Sequence, residues 1–117
     1  MRGPPRRFMP GPSVTDSGSA VTLDLHGVRV HEAEDLVLAA AEVAAESGRS
    51  TLRIVHGAST TDWDGGNRTV KTAVLGLVDG GALDPWVASA HRTEGHVLLG
   101  LRVLGHDARP ITLSDLW

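Results

Sequence analysis

A carboxylate and an imidazole stand two residues apart in Leu23-Asp24-Leu25-His26-Gly27, a pair that can take up and return a proton near neutral pH. Residues 21–25 alternate, so Val21, Leu23 and Leu25 project to one face of a strand while Thr22, Asp24 and His26 project to the other. At a rise of about 3.3 Å per residue the two Cα atoms lie roughly 6.5 Å apart, close enough for both side chains to reach one water or one phosphate oxygen. Gly27 then allows a sharp turn into a helical stretch. A second His-Gly pair, His56-Gly57, ends another strand at residues 51–55. A third chemical set is basic. Asn67 is placed to cap a helix running to about residue 79, with Arg68 and Lys71 in its first turn. Cations at a helix N-terminus oppose the dipole unless an anion lies between them, which points to phosphate. Taken on residues alone, the plainer reading of Asp24 and His26 is structural: the acid accepts local N–H bonds and the imidazole caps a turn.

The elements that must position these groups are short and regular. Residues 31–46 carry Ala33, Leu36, Val37, Ala40 and Ala44 at three- and four-residue steps, an amphipathic helix with Gly48 where a C-terminal cap belongs. Its acids are Glu32, Glu34, Asp35, Glu42 and Glu46, so that surface repels polyanions. Strand, helix, strand in this order makes a crossover with the first two strands parallel, and both His-Gly pairs then reach one edge of the sheet. Open parallel sheets bind ligands beyond the carboxyl ends of their strands. The second helix buries Val70, Ala73, Val74 and Leu77. Residues 86–91 and 96–103 read as two strands of a hairpin joined by Arg92-Thr93-Glu94-Gly95. The result is an α/β fold in the order β-α-β-α-β-β with a mixed sheet. Residues 1–20, rich in Pro, Gly, Ser and Arg, read as a disordered basic arm, and residues 21–104 as the folded domain. Residues 105–117 form a tail that adds a short edge strand at 111–113 and docks Leu116 and Trp117 on apolar surface.

Composition limits the partners. The chain of 117 residues has a net charge of −3 and no Cys, so any nucleic-acid footprint is local, and disulfide frames and thiolate zinc sites are excluded. Residues 49–71 supply that local excess: Arg49, Arg53, Arg68 and Lys71 against Asp62 and Asp64. Phe8 and three Trp are the aromatics, too few for base-stacking platforms. No apolar run is long enough to span a membrane, and no apolar stretch follows Arg2, Arg6 and Arg7 to make a signal peptide, which suits a cytoplasmic setting.

From residue 21 to residue 103 the chain resembles the small MutS-related, or Smr, family. The matching pieces are Leu23-Asp24-Leu25-His26-Gly27, Val30-His31-Glu32-Ala33, Ile54-Val55-His56-Gly57 and Asn67-Arg68-Thr69-Val70-Lys71. The resemblance implies a two-layer α/β sandwich that binds nucleic acid and, in many members, nicks DNA or cuts RNA. It also implies that Asp24 and His26 are tied to cleavage, and that His56, Gly57 and the loop after them contact the backbone. Two departures stand out: Ala58-Ser59 replaces the usual x-Gly, with extra residues before Gly65-Gly66, and the glycine-rich element before the last strand is reduced to Gly95.

On this reading Asp24 orients or activates His26, which serves as general base or acid. Arg68, Lys71 and the helix N-terminus hold the phosphate, with Gly66, Asn67 and the hydroxyls of Ser59 and Thr60 beside them. His56 positions phosphate or donates to the backbone rather than acting as base, and His31, His91, His96 and His106 are surface or turn residues. No i, i+4 His pair or dense acidic cluster supports a metal site at Asp24, His26 and His56, so no cofactor is assigned. RNA brings its own nucleophile in the 2′-hydroxyl; on DNA water must attack, and so few carboxylates would call for a recruited divalent metal. The alternative is a non-catalytic module of the same fold that binds nucleic acid or a protein partner, and a third reading is a small-anion site at the same helix end.

Overall fold

The computed structural model describes residues 11–57 and 69–116. Among the described residues five strands form one mixed sheet: β1 (Ser13–Asp16), β2 (Ala20–Asp24), β3 (Thr51–Val55), β4 (Val87–Arg92) and β5 (His96–Leu101). Helix α1 (Val30–Glu46) joins β2 to β3, helix α2 (Val70–Asp79) precedes β4, and a 3-10 turn covers Leu113–Leu116. The spatial order is β1-β2-β3-β5-β4. The two strands flanking α1 are parallel, with Asp24 opposite Val55, and every other neighbouring pair is antiparallel.

The expected order therefore gains a strand at its start, and the first two strands of the chain, β1 and β2, are antiparallel. Part of what composition marks as a disordered arm is ordered by contacts from outside it. Asp16 forms an ion pair with Arg49, 33 positions away, at 2.9 Å, and Val14 packs against the core. Arg49 is 2 % exposed and donates also to the carbonyls of Ser47, Asp107 and Arg109. The Asp16 carboxylate accepts from Ile111 N–H at 2.8 Å. One buried guanidinium thus fastens β1, the α1–β3 connection and the tail together. The pairing and backbone bonds hold the Asp16 carboxyl at about 2, well below its ordinary 3.8, against the opposing effect of burial.

The tail is a correction too. It adds no edge strand at 111–113; after Pro110 the chain buries Ile111 and turns into the 3-10 segment, where Asp115 accepts from Thr112 N–H and Leu116 is buried. Trp117 lies outside the described residues.

The alternation read from the sequence is what builds the core. Val21 and Leu23 of β2 with Leu25 just beyond it, Leu52 and Ile54 of β3, and Val97, Leu99 and Leu101 of β5 bury their side chains in one cluster. That cluster includes Ala33, Leu36, Val37, Ala40, Ala41 and Ala44 of α1 and Val74 of α2. α1 starts at Val30, where the Glu32 carboxylate reaches back and accepts from the Arg29 N–H at 3.0 Å, a one-way cap at the start of the helix. The cap of α2 is Thr69, not Asn67: Thr69 Oγ1 accepts from Thr72 N–H at 3.2 Å and Thr72 Oγ1 accepts from Thr69 N–H at 2.9 Å. At the other end of α2, Asp79 pairs with Arg92 of β4. β5 ends at Leu101, two residues short of the expected strand.

Candidate functional site

The parallel register brings the ends of β2 and β3 to one edge, and the start of the antiparallel β5 joins them there. Leu25 N–H donates to Val55 carbonyl at 2.9 Å, extending the ladder to the brink of both His-Gly pairs. Gly27 and Gly57 carry φ of 79° and 81°, left-handed backbone that glycine enters without strain, so each strand can break off just past its imidazole. The main chain of His56 and Gly57 is held by one acceptor: both N–H groups donate to the Gly95 carbonyl, at 3.1 and 2.9 Å. The remnant of the glycine-rich element therefore clamps the second His-Gly pair.

Asp24 is half-buried, and its carboxylate accepts from the backbone N–H of His26 at 2.9 Å. It holds the turn that carries His26, whose ring is exposed; the bond runs to the main chain, not to the imidazole. The two imidazoles share the rim but not the setting: the His26 ring is exposed, while His56 is half-buried. Along β3 the alternation buries Leu52 and Ile54 against the helices, and His56 follows them by two residues; Asp24 lies on the face opposite Val21 and Leu23, and the chain turns at His26.

His56 is the most constrained group at the rim. Its Nδ1 donates to the Gly57 carbonyl at 2.7 Å, which leaves Nε2 as the lone-pair nitrogen of the neutral ring. Among the described residues Nε2 is buried and has no hydrogen-bond partner. An unsatisfied buried acceptor costs about 1–3 kcal/mol, a cost that a hydroxyl-bearing ligand would remove. Burial pushes the His56 pKa below its ordinary 6.5; the Gly57 bond works the other way, and positive charge on Lys71 and His96 adds to the depression. The ring is accordingly neutral near pH 7.

Lys71 is half-buried in the first turn of α2, and the N–H groups of Val70 and Lys71 carry no bond among the described residues. The hydroxyl and glycine donors expected at Ser59, Thr60 and Gly66, with Asn67 and Arg68, lie outside the described residues. No group of three His, Asp or Glu among the described residues is placed to hold a metal ion.

One rim residue is missed by reading along the chain. His96, expected as a surface residue, is half-buried as the first residue of β5, directly opposite Val55. Thr93 Oγ1 lies 2.9 Å from its Nδ1. Only the antiparallel register of strands forty residues apart brings it beside His56, and no local pattern carries that information.

The family model described as Smr domain matches residues 23–99, which spans the first His-Gly pair, both helices and most of β5. The chain belongs to the Smr family. No curated protein and no solved structure matches it. In this Smr domain the matched region begins inside β2, so β1 and the Arg49-fastened tail lie outside it. No helix among the described residues is long and apolar enough to cross a membrane.

Proposed function

We propose that this Smr domain binds the nucleic-acid backbone at the rim and cleaves a phosphodiester there, with RNA as the preferred substrate. The observation that carries the reading is His56: a neutral imidazole whose buried Nε2 has no partner among the described residues, beside Lys71 and the start of α2. A neutral imidazole can take the proton of an attacking hydroxyl, and a typical gain from such a base is about 10²–10⁴-fold. Lys71 and the N–H groups of Val70 and Lys71, unbonded among the described residues, meet the charge that develops on the phosphate, with Arg68, Asn67, Gly66, Ser59 and Thr60 as further contacts. Asp24 acts as a positioning residue, fixing the turn that presents His26 to the backbone. The frame is a two-layer α/β sandwich whose acidic α1 surface faces away from the polyanion.

RNA is favoured because its own 2′-hydroxyl is the hydroxyl His56 would deprotonate. The test is cleavage of matched RNA and DNA by the full chain, with and without chelator, alongside His56→Ala and Asp24→Ala. Metal-independent cutting of RNA, lost in His56→Ala while binding is kept, is the expected result. Cutting of DNA alone that stops on chelation refutes the RNA reading. Tight, salt-sensitive binding with no cleavage of either assigns the chain to the non-catalytic adaptor class.

A further inference from the structure

Cleavage by an internal hydroxyl moves two protons, one off the nucleophile and one onto the departing oxygen. His56 takes the first, and the second needs a donor of its own. Two imidazoles flank His56 along the rim, His26 beyond β2 on one side and His96 at the start of β5 on the other.

Their settings differ. The ring of His26 is exposed and has no hydrogen bond among the described residues; only its backbone is held. His96 is half-buried, and its Nδ1 edge is occupied by the Thr93 hydroxyl at 2.9 Å. The same oxygen donates to the His96 carbonyl at 3.0 Å and accepts from the His96 N–H at 3.3 Å. With its hydroxyl proton on the carbonyl, Thr93 Oγ1 accepts from Nδ1–H, which fixes the ring and leaves Nε2 to act on a ligand. The adjoining Gly95 carbonyl holds the main chain of His56, so the two imidazoles are registered through one peptide unit. Alternation puts His96 on the open face with Leu98 and Gly100, and His56 on the helix face after Ile54. A phosphate seated on the rim between β3 and β5 then has one imidazole on each side, as in-line displacement requires.

We propose that His96 is the proton donor to the leaving oxygen, paired with His56 in cutting RNA, with Thr93 as its positioning residue; this rests on His56 acting as the base. His56 Nε2 takes the proton of the 2′-hydroxyl, and the freed oxygen attacks phosphorus. The bond from phosphorus to the 5′-oxygen breaks, its electron pair leaves with that oxygen, and the oxygen takes the proton of the His96 imidazolium. The products are a 2′,3′-cyclic phosphate and a 5′-hydroxyl. The field of His96 also works against protonation of His56.

Two substrates separate the roles: a dinucleotide, whose alkoxide needs a proton to leave, and uridine 3′-(p-nitrophenyl phosphate), whose phenolate does not. The full chain and its His96→Ala, His26→Ala and His56→Ala variants are assayed on both. His96→Ala should lose on the order of 100-fold in kcat on the dinucleotide and only a few-fold on the nitrophenyl ester, with Thr93→Val showing a weaker version of the same split. His96→Gln, which keeps a hydrogen-bonding arm for Thr93, replaces the alanine variant if that one fails to fold. Equal losses on both substrates, no loss on either, or a leaving-group split in His26→Ala instead overturns the proposal. If His56→Ala is unimpaired while His96→Ala shows the split, the base assignment falls and the donor assignment stands. A wild type that cuts neither substrate overturns both.

Discussion

Replacing Asp16 with Asn tests the fastening of β1 and the tail, because it removes one charge and keeps the shape. Wild-type Asp16 receives Arg49 Nε at 2.9 Å and Nη2 at 2.9 Å, and the side chains of Arg49 and Asp16 are only 3 % and 2 % exposed. The carboxyl falls from 3.8 to about 2 on folding, which corresponds to roughly 2.5 kcal/mol by linkage. The folded value is depressed, so this stability is fully present above the unfolded value and drains away as pH falls toward the folded one, between about pH 5 and pH 2. Asn does not titrate, so the stability gap between wild type and Asp16→Asn isolates this carboxylate from all others. Near pH 7 the gap should be about 3–5 kcal/mol, since Arg49 is left buried without its counter-charge. By pH 3 the unfolded chain is mostly protonated at this position while the folded one is not, and the gap should have narrowed by about 1 kcal/mol. Urea unfolding of both proteins across this pH range at fixed ionic strength measures it. A gap that stays constant from pH 7 to pH 3 would show that Asp16 is not held ionised by Arg49, and the reasoning fails.

Three further outcomes follow from the same geometry. Gly105→Ala places a Cβ on the Glu46 carbonyl oxygen, a backbone atom that cannot swing aside; urea melts should show a loss of about 1–3 kcal/mol. Thr69→Ala removes the reciprocal cap at the start of α2 and should cost about 1 kcal/mol in the same assay, with weaker binding of an RNA oligonucleotide if that helix end holds phosphate. Lys71→Gln removes a positive charge that helps depress His56, so an NMR titration of the His56 ring should show its pKa move up; a downward move refutes the assignment.

How far the sequence carries depends on whether an element is specified by its own residues. β2, β3, β5 and both helices were legible because a period of two or of three-to-four fixes which side chains meet the core, as Val21, Leu23, Leu52, Ile54, Val97 and Leu99 do. β1 has one apolar side chain in four residues, and its order comes from pairing with β2 and from Arg49; composition alone marks it as disordered. The tail misleads in the opposite direction. Ile111 and Leu113 suggest a strand, but burial of Ile111 and Leu116 around a Thr112–Asp115 turn accounts for both. At the rim, the two His-Gly pairs and Asp24 were legible, as was the common edge. Missing were the faces from which the rings approach, the tautomer imposed on His56 by Gly57, and His96, because each depends on register or on a main-chain contact that spacing does not encode.

The antiparallel pairing of β1 with β2 sets Ser13 opposite Asp24, so the polypeptide upstream of Ser13 is rooted at the rim and not at the Arg49 end of the sheet. The start of β1 and the turn held by Asp24 thus meet at one edge of the sheet, while the Asp16–Arg49 pair anchors the opposite end of the same strand.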